Sequence, residues 1–225
     1  MEPQDELILD HIGRYTLSIK RVIDAACLDG SSCQNSLTRL LKLELIQGID
    51  RGLSGNFRYY QLTPKGAKTR GFPVNRAREK EARGLAQDLA TLWFSCMRGV
   101  VRKRLSDAEL RRLFGAPKGG NVIHVAQSDS DESTVFRLYI PSENSSLSTF
   151  LATLKKSAYD ATSDPNLISW IERGTYQLAV LLQNENRREE LERLIRKDQF
   201  PDIRINLDIA PSPSNLKEFI AGEAA

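Results

Sequence analysis

The chain has 225 residues, of which 40% are hydrophobic and 27% are charged, a composition typical of a globular protein with one large or two small domains. No stretch approaches the roughly 18 uninterrupted apolar residues of a membrane span, and the acidic N-terminus is unlike a secretory leader, so we expect a cytoplasmic protein without membrane contact. Three cysteines without a CxxC pair and only two histidines disfavour a disulfide framework, a zinc site and a histidine-based catalytic centre. We therefore predict neither a metal nor a cofactor.

The net charge of +3 is divided unevenly along the chain. Residues 1–120 carry a net charge of +8, and residues 121–225 carry one of −5. A basic first half joined to an acidic second half suggests that only the first half contacts a polyanion such as nucleic acid.

Apolar spacing predicts three short helices within the first 45 residues. The first lies in DELILDHIGRYT with Asp5 as its N-cap, the second in IKRVIDAACL after Ser18, and the third in CQNSLTRLLKLE. Gly30 lies in the turn between the second and third helices. Two helices joined by a glycine-containing turn are typical of a helix-turn-helix.

A hairpin is predicted directly after the three helices. LIQGID and FRYYQL have strand character and flank the two-glycine turn RGLSGN, and we expect Tyr59 or Tyr60 to pack the hairpin onto the helices. The stretch from Tyr59 to Gly66, YYQLTPKG, resembles the end of the wing in MarR-like and related winged-helix proteins, where the hairpin exits into a Thr-capped helix. The resemblance covers about residues 5–70 and implies a DNA-binding domain.

This resemblance and the outward positions of the helices together predict a DNA interface. Amide, hydroxyl and guanidinium groups on the third helix can bond base edges in the major groove, and basic groups on the hairpin suit the minor groove or phosphate. A solvated surface, or a winged helix that binds protein, is the alternative. The predicted contact residues are Gln34, Asn35, Thr38, Arg39 and Lys42 in the third helix, Arg51, Asn56 and Arg58 in the hairpin, and Lys20, Arg21, Lys65 and Lys68 beside them.

Residues 67–83 form a basic linker into a predicted long helix, EARGLAQDLATLWFSCMRGVVRKRL. Its broad apolar face, which includes Trp93, must pack on the second domain or on a second copy. We predict that it joins two copies in a homodimer, so that the DNA site is an inverted repeat. Ser106 and Glu109 predict a capping box at the start of a further short helix.

The second half alternates strands and helices, which predicts a small α/β or α+β domain. Its order resembles the nuclease-like domain behind a winged helix in the replication-relaxation and plasmid-mobilisation family. Active nucleases of that fold hold a metal with a carboxylate and a following Glu-x-Lys. Here Glu143 has no lysine two residues on, and Asp129, Asp131 and Glu132 lie in a predicted solvated turn, so the resemblance implies a degenerate domain.

Two further motifs are interpreted as structural. GAPKGGN lacks P-loop spacing and is predicted to be a flexible loop. Cys33, near the start of the third helix, is interpreted as a small buried residue, with oxidant sensing as the alternative.

The sequence therefore predicts an α+β protein with a winged helix-turn-helix at 1–72, a linker and long helix at 73–118, and a smaller α/β domain at 119–225. We expect a non-enzymatic, sequence-specific regulator of transcription that binds double-stranded DNA as a homodimer. Its C-terminal domain is expected to serve regulation or dimerisation, and the sequence does not identify a small-molecule ligand for it. One alternative is an accessory DNA-binding protein of plasmid or conjugative-element transfer or replication, on a mobile genetic element. The other is a metal-dependent nuclease.

Overall fold

The computed structural model describes residues 1–28, 30–97, 100, 102–115, 122–128 and 133–223. Within these residues lie ten α-helices, one three-stranded sheet and one five-stranded sheet, which confirms the α+β class. Among them, no helix is both long enough and apolar enough to cross a membrane.

The chain divides into two compact units. The first unit is Met1–Val100 with Pro211–Ala225, and the second is Val101–Ala210, which is inserted between two segments of the first. This division differs from the predicted boundaries at 72 and 118 because the helix around Trp93 and the final helix share one apolar cluster with the early part of the chain.

The first unit begins with three helices and a small antiparallel sheet. Its elements in chain order are α1 (Pro3–Tyr15), β1 (Ser18–Ile19), α2 (Lys20–Cys27), α3 (Gln34–Lys42), β2 (Ile46–Ile49), β3 (Tyr59–Leu62), α4 (Pro64–Thr69), α5 (Ala82–Cys96) and α10 (Leu216–Glu223). The strands are ordered β1-β3-β2, and Tyr59 is paired with Ile19 on one side and with Ile49 on the other. Short 3-10 turns lie at Ser54–Asn56 and Val74–Ala77.

Helix α1 begins two residues earlier than its predicted N-cap. Pro3 is the first helical residue, a position that suits its fixed φ and missing N–H. Asp5 is therefore the third residue of the helix, where its carboxylate accepts a hydrogen bond from the Glu2 backbone N–H at 3.1 Å. The prediction of Asp5 as N-cap is wrong because proline sets the start.

Two apolar clusters form the core of the first unit. One lies among α1, α2, α3 and the sheet, around residues such as Ile8, Ile12, Leu37 and Leu40, all of which are inaccessible to solvent. The other surrounds Trp93 of α5 and joins the hairpin to α10. Both Tyr59 and Tyr60 are buried, one in each cluster, which confirms their predicted packing role.

Helix α5 ends at Cys96 and does not extend through residue 105 as predicted. Arg102–Arg104 forms β4 instead, an edge strand paired with β5, in which Arg104 lies opposite Val125. The sequence between them contains Gly99, Val100 and Val101, which have low helix propensity.

The second unit is a mixed sheet with helices on one face. Its elements are β4 (Arg102–Arg104), α6 (Asp107–Phe114), β5 (Ile123–Ser128), β6 (Ser133–Tyr139), α7 (Leu147–Thr162), α8 (Ile168–Glu172), β7 (Tyr176–Leu182), α9 (Glu185–Lys197) and β8 (Ile205–Ile209). The strand order is β4-β5-β6-β7-β8, antiparallel up to β6 and parallel from β6 to β8. Alternate residues of β7, namely Tyr176, Leu178, Val180 and Leu182, pack against the helices. The predicted capping box of α6 is confirmed, since the Ser106 hydroxyl accepts from the Glu109 N–H and the Glu109 carboxylate accepts from the Ser106 N–H.

Candidate nucleic-acid interface

Helix α3 has one buried face and one exposed polar face. Leu37 and Leu40 are fully buried, whereas four polar residues are exposed. These four follow the helical repeat and belong to the predicted DNA contacts: Gln34, Asn35, Thr38 and Lys42. Among the described residues, no contact hides the amide and ammonium groups of this face.

Arg39 is the one predicted contact in α3 that points to another helix. Its Nε and Nη2 donate to the two carboxylate oxygens of Asp5 at 2.8 Å each, and Nη2 also donates to the Glu2 carboxylate at 2.8 Å. The Asp5 side chain is fully buried, and the Arg39 side chain keeps 33% of its surface exposed. Hydrogen bonding to Arg39 lowers the pKa of Asp5, so the carboxylate stays ionised. Arg39 therefore fixes α3 to the start of α1.

Lys20 lies beside the N-terminal end of α3. Its Nζ is 2.5 Å from Oδ2 of Asp24, and Oδ1 of the same carboxylate accepts a hydrogen bond from the Cys33 backbone N–H at 2.7 Å. Asp24 therefore links the start of α2 to the start of α3, and its hydrogen bond raises the pKa of Lys20. Arg21 is exposed next to Lys20.

Cys33 itself is buried at this junction. Burial raises the pKa of its thiol to about 12, so the reactive thiolate is disfavoured at neutral pH. This favours the structural interpretation of Cys33.

Lysines also surround the C-terminal end of α3. The Lys65 Nζ donates to the Leu43 carbonyl oxygen at 2.8 Å and lies 3.8 Å from the Glu44 carboxylate. Lys68 is one helical turn further along α4 and is exposed, as is Lys42. Within the part of the chain that the structure describes, neither Lys42 nor Lys68 has an ion-pair partner. Their charges are therefore available to an anion.

The exit from the hairpin places these lysines. Thr63 caps α4 by accepting a hydrogen bond from the Gly66 N–H at 3.0 Å, and its own hydroxyl donates to the Glu44 carbonyl oxygen at 2.6 Å. A Cβ on Gly66 would lie 1.9 Å from the Leu45 carbonyl oxygen. The Leu-Thr-Pro-Lys-Gly sequence thus packs the start of α4 directly against Glu44 and Leu45, the segment that follows α3.

The two hairpin arginines have carboxylate partners. Arg51 makes a two-pronged ion pair with Glu79, at 2.8 and 2.7 Å, and Arg58 makes another with Asp50, at 2.5 and 2.6 Å. In each case hydrogen bonding to the guanidinium lowers the pKa of the carboxyl group. All four side chains are largely exposed, so water screens these pairs.

The hairpin tip is not free. The Ser54 N–H donates to the Pro213 carbonyl oxygen at 2.7 Å, and the Lys217 N–H donates to the Ser54 hydroxyl at 3.1 Å. A Cβ on Gly55, which has a φ of +72°, would lie 2.8 Å from Cβ of Lys217. Gly55, one of the two glycines of the predicted turn, thus allows the close approach of α10. Asn56, also at the tip, is exposed.

The apolar face of α5 is covered within the same chain. Trp93 is 1% exposed and packs edge-on against Phe219 of α10, with ring centroids 5.4 Å apart, and Leu216 is fully buried in the same cluster. The expectation that this face joins two copies is therefore not met, because α10 already occupies it.

Of the residues considered for a nuclease site, Glu143 is the one that the structure describes. The Glu143 carbonyl oxygen accepts a hydrogen bond from Arg187 at 2.8 Å, in a loop that precedes α7. Among the described residues, no three His, Cys, Asp or Glu side chains are grouped so that they could hold a metal ion. The acidic turn with Asp129, Asp131 and Glu132, and the loop at 116–121, lie outside the described residues.

Sequence reasoning missed the acidic partners of the arginines. The pairing of Arg58 with Asp50 could have been predicted from the hairpin, because the strand register that pairs Ile49 with Tyr59 places Asp50 opposite Arg58. Glu79 and Asp5 are 28 and 34 residues from their partners, and no spacing rule connects residues so far apart.

Comparisons with protein-family models, with curated proteins and with solved structures each give no match for this chain.

Proposed function

We propose that the protein is a sequence-specific regulator of transcription that binds double-stranded DNA through a winged helix in the first unit. The observation that carries this proposal is the exposed polar face of α3, which has a lysine beside each end. An α-helix with its side chains is about 10–12 Å in diameter and fits the major groove, which is about 12 Å wide, and the nine residues of α3 extend for about 13 Å. An α-helix of this length can lie in the groove with its flanking lysines near the two phosphate backbones.

The side chains on this face suit base recognition. The amides of Gln34 and Asn35 can each donate to and accept from an adenine edge, and the Thr38 hydroxyl can contact a base or a phosphate. Lys42 and Lys68 supply unpaired positive charge for phosphate, and Lys20 and Lys65 can exchange their present acceptors for it. Base contacts thus come from the first two turns of α3, and phosphate contacts from its ends.

The hairpin contributes less than α3 in this proposal. Arg51 and Arg58 already share their charges with carboxylates, and a DNA contact would first have to break these pairs. The tip is held by the segment that leads into α10. The expected minor-groove role of Arg51, Asn56 and Arg58 therefore becomes secondary.

The proposed homodimer on an inverted repeat needs a surface other than the buried face of α5. Light scattering of the free protein and of its DNA complex measures the number of copies. One protein copy per bound DNA site at micromolar concentration would contradict both the predicted homodimer and the predicted inverted repeat.

Mobility shift with genomic fragments tests the proposal. We expect Gln34→Ala and Asn35→Ala each to weaken specific binding about tenfold, because each lost base contact costs about 1–3 kcal/mol. Gln87→Ala on α5 is a matched control that removes an amide of the same unit distant from α3 in sequence. Unchanged affinity and unchanged base preference in the double variant Gln34→Ala, Asn35→Ala would reject α3 as the recognition helix.

The positions of the bound fragments test the biological role. Sites upstream of promoters support a regulator of transcription. Sites confined to a transfer or replication origin would instead favour an accessory protein of plasmid mobilisation.

A further inference from the structure

A polar cluster lies on the helix-covered face of the sheet in the second unit, apart from any surface assigned above. It contains His124 of β5, Arg137 and Tyr139 of β6, and Tyr176 of β7. His124 is directly opposite Arg137 in the antiparallel register, and Arg137 and Tyr139 are two residues apart, on the same face of the strand. The guanidinium carbon of Arg137 lies 5.4 Å from the centre of the Tyr139 ring. Four polar side chains thus meet where core residues are expected.

Three buried atoms of this cluster have no hydrogen-bond partner within the described structure: Nδ1 of His124, Nε of Arg137 and the hydroxyl oxygen of Tyr139. His124 is only 8% exposed, so bulk water does not supply the missing partner. Buried polar atoms are nearly always paired in folded proteins, so these three atoms can form hydrogen bonds with a group from outside the chain.

The protonation of the cluster indicates which kind of group is missing. Burial lowers the pKa of His124 to about 4 and raises that of Tyr176 to about 12, so both side chains are neutral at pH 7. The Nε2 of His124 lies 3.2 Å from the Tyr176 hydroxyl oxygen. When Tyr176 donates this hydrogen bond, the neutral imidazole carries its proton on Nδ1, which becomes a buried donor without an acceptor.

The other two orphans are donors as well. An arginine Nε–H can only donate, and the Tyr139 hydroxyl can donate. Arg137 is also the one cation of the cluster, and among the described residues no carboxylate lies within 4 Å of it. Asp160 and Asp164 of α7 and its following turn act on the two tyrosines only through space. The cluster therefore combines three donors with a positive charge, and the acceptors beside them are neutral hydroxyl oxygens, that of Tyr176 near Arg137 and that of Ser157 near Tyr139.

We propose that this cluster is a binding site for a small oxyanion, of the class of inorganic phosphate or the phosphate group of a nucleotide. An oxyanion supplies several acceptor oxygens and neutralises the guanidinium, whereas a single water molecule has two lone pairs for three donors and no charge. Arg137 supplies the charge and Nε–H, and Tyr139 and His124 supply the neutral donors. Arg137 and Tyr139 are half-buried, which leaves a path to solvent.

Titration calorimetry of the full chain tests the site, with inorganic phosphate in one arm, a nucleoside monophosphate in a second, and chloride at matched ionic strength as the blank. We expect saturable binding in at least one of the first two arms, together with a phosphate-dependent rise of several degrees in Tm. Arg137→Gln should weaken binding at least tenfold, and Tyr139→Phe should weaken it several-fold while it removes only one hydroxyl. Arg112→Gln on α6, which removes an exposed guanidinium of the same unit, should have no effect.

The two phosphate arms distinguish the source of the anion. Tighter binding of the nucleoside monophosphate would identify a nucleotide site, and equal or tighter binding of inorganic phosphate would identify a site for the free anion. If neither arm shows saturable binding, or if Tyr139→Phe binds as tightly as the unchanged protein, the proposal is overturned. These results do not depend on DNA binding by α3.

Discussion

The Arg39 guanidinium holds the carboxylate of Asp5 with two parallel hydrogen bonds, although Asp5 is fully buried and lies 34 residues earlier in the chain. This pair fixes the rotation of α3 about its own axis relative to α1. Because Arg39 is held at the edge of the exposed face, Gln34, Asn35 and Thr38 are presented beside it in a defined orientation. The first unit thus uses Arg39, together with the buried Ser36 that it contacts, for its own assembly and exposes the other polar residues of α3.

Loss of the Asp5 charge should destabilise the first unit. We expect Asp5→Asn to lower the free energy of unfolding by about 2 kcal/mol, since a hydrogen-bonded buried charge is replaced by a neutral group. Arg39 keeps the pKa of Asp5 below its ordinary value of 3.8, so this contribution is complete above about pH 4 and is lost as the pH falls through the lowered pKa. Urea unfolding at pH 7 and at pH 3 measures the difference. Glu2→Gln is the matched control, and an equal loss in that variant would contradict the assignment to Asp5.

Stability should also fall between pH 6.5 and pH 4 because His124 is buried, His11 is partly buried, and desolvation favours the neutral form of both. Desolvation lowers the pKa values of His11 and His124 to about 4, whereas in the unfolded chain they are near 6.5. The unfolded state therefore binds more protons in this range, and stability is complete above pH 6.5 and declines as the pH falls. For His124 the full loss by pH 4 is about 3 kcal/mol.

Urea unfolding across this range, with His124→Gln and His11→Gln, assigns the decline to each unit. Each variant should lose its own share of the pH slope and keep the other. A flat profile from pH 7 to pH 4, or imidazole NMR signals that titrate near pH 6.5, would show that the histidines are solvated.

The salt dependence of DNA binding should identify the phosphate contacts. Lys42→Ala and Lys68→Ala should each reduce the slope of log K against log salt by about one, because each removes an unpaired charge. Arg51→Ala should change the slope little, since Glu79 already neutralises this arginine. Lys156→Ala, on an exposed position of the second unit, is the control. A larger effect of Arg51→Ala than of Lys42→Ala would place the hairpin, and not the end of α3, against the DNA.

Gly66 should not tolerate a side chain. Its Cβ would overlap the Leu45 carbonyl oxygen at 1.9 Å, and backbone on both sides limits relaxation. We expect Gly66→Ala to cost about 3 kcal/mol of stability, at the upper end for overpacking. Gly222→Ala in α10 meets nothing within 4 Å and should be neutral or slightly stabilising, because alanine favours helix. Equal unfolding midpoints for the two variants would mean that α4 can move away from Leu45.

Much of the first unit could be predicted from local pattern, because its helices are short, amphipathic and separated by turn residues. The outward positions of Gln34 and Thr38 followed from the helical repeat of Leu37 and Leu40. The partner of Arg39 could not be predicted, because the pairing depends on how two helices pack. Nor could the burial of Leu216, since it depends on the return of the chain after the whole second unit.

The polar cluster of the second unit could be predicted even less from the sequence. His124, Arg137 and Tyr176 occupy three different strands, and only the strand register brings them to one face. An arginine within an apolar strand is the single local sign, and alone it does not separate a solvated edge from a buried charge.

The insertion of the second unit also sets an order for synthesis. The apolar groove formed by Leu53, Leu85 and Trp93 is closed by Leu216, which follows Val101–Ala210 in the chain. At 5–20 residues per second, a ribosome needs on the order of ten seconds to add the inserted unit. During that interval Leu216 is absent from the cluster, so the packing of the first unit is completed only after α10 has been synthesised.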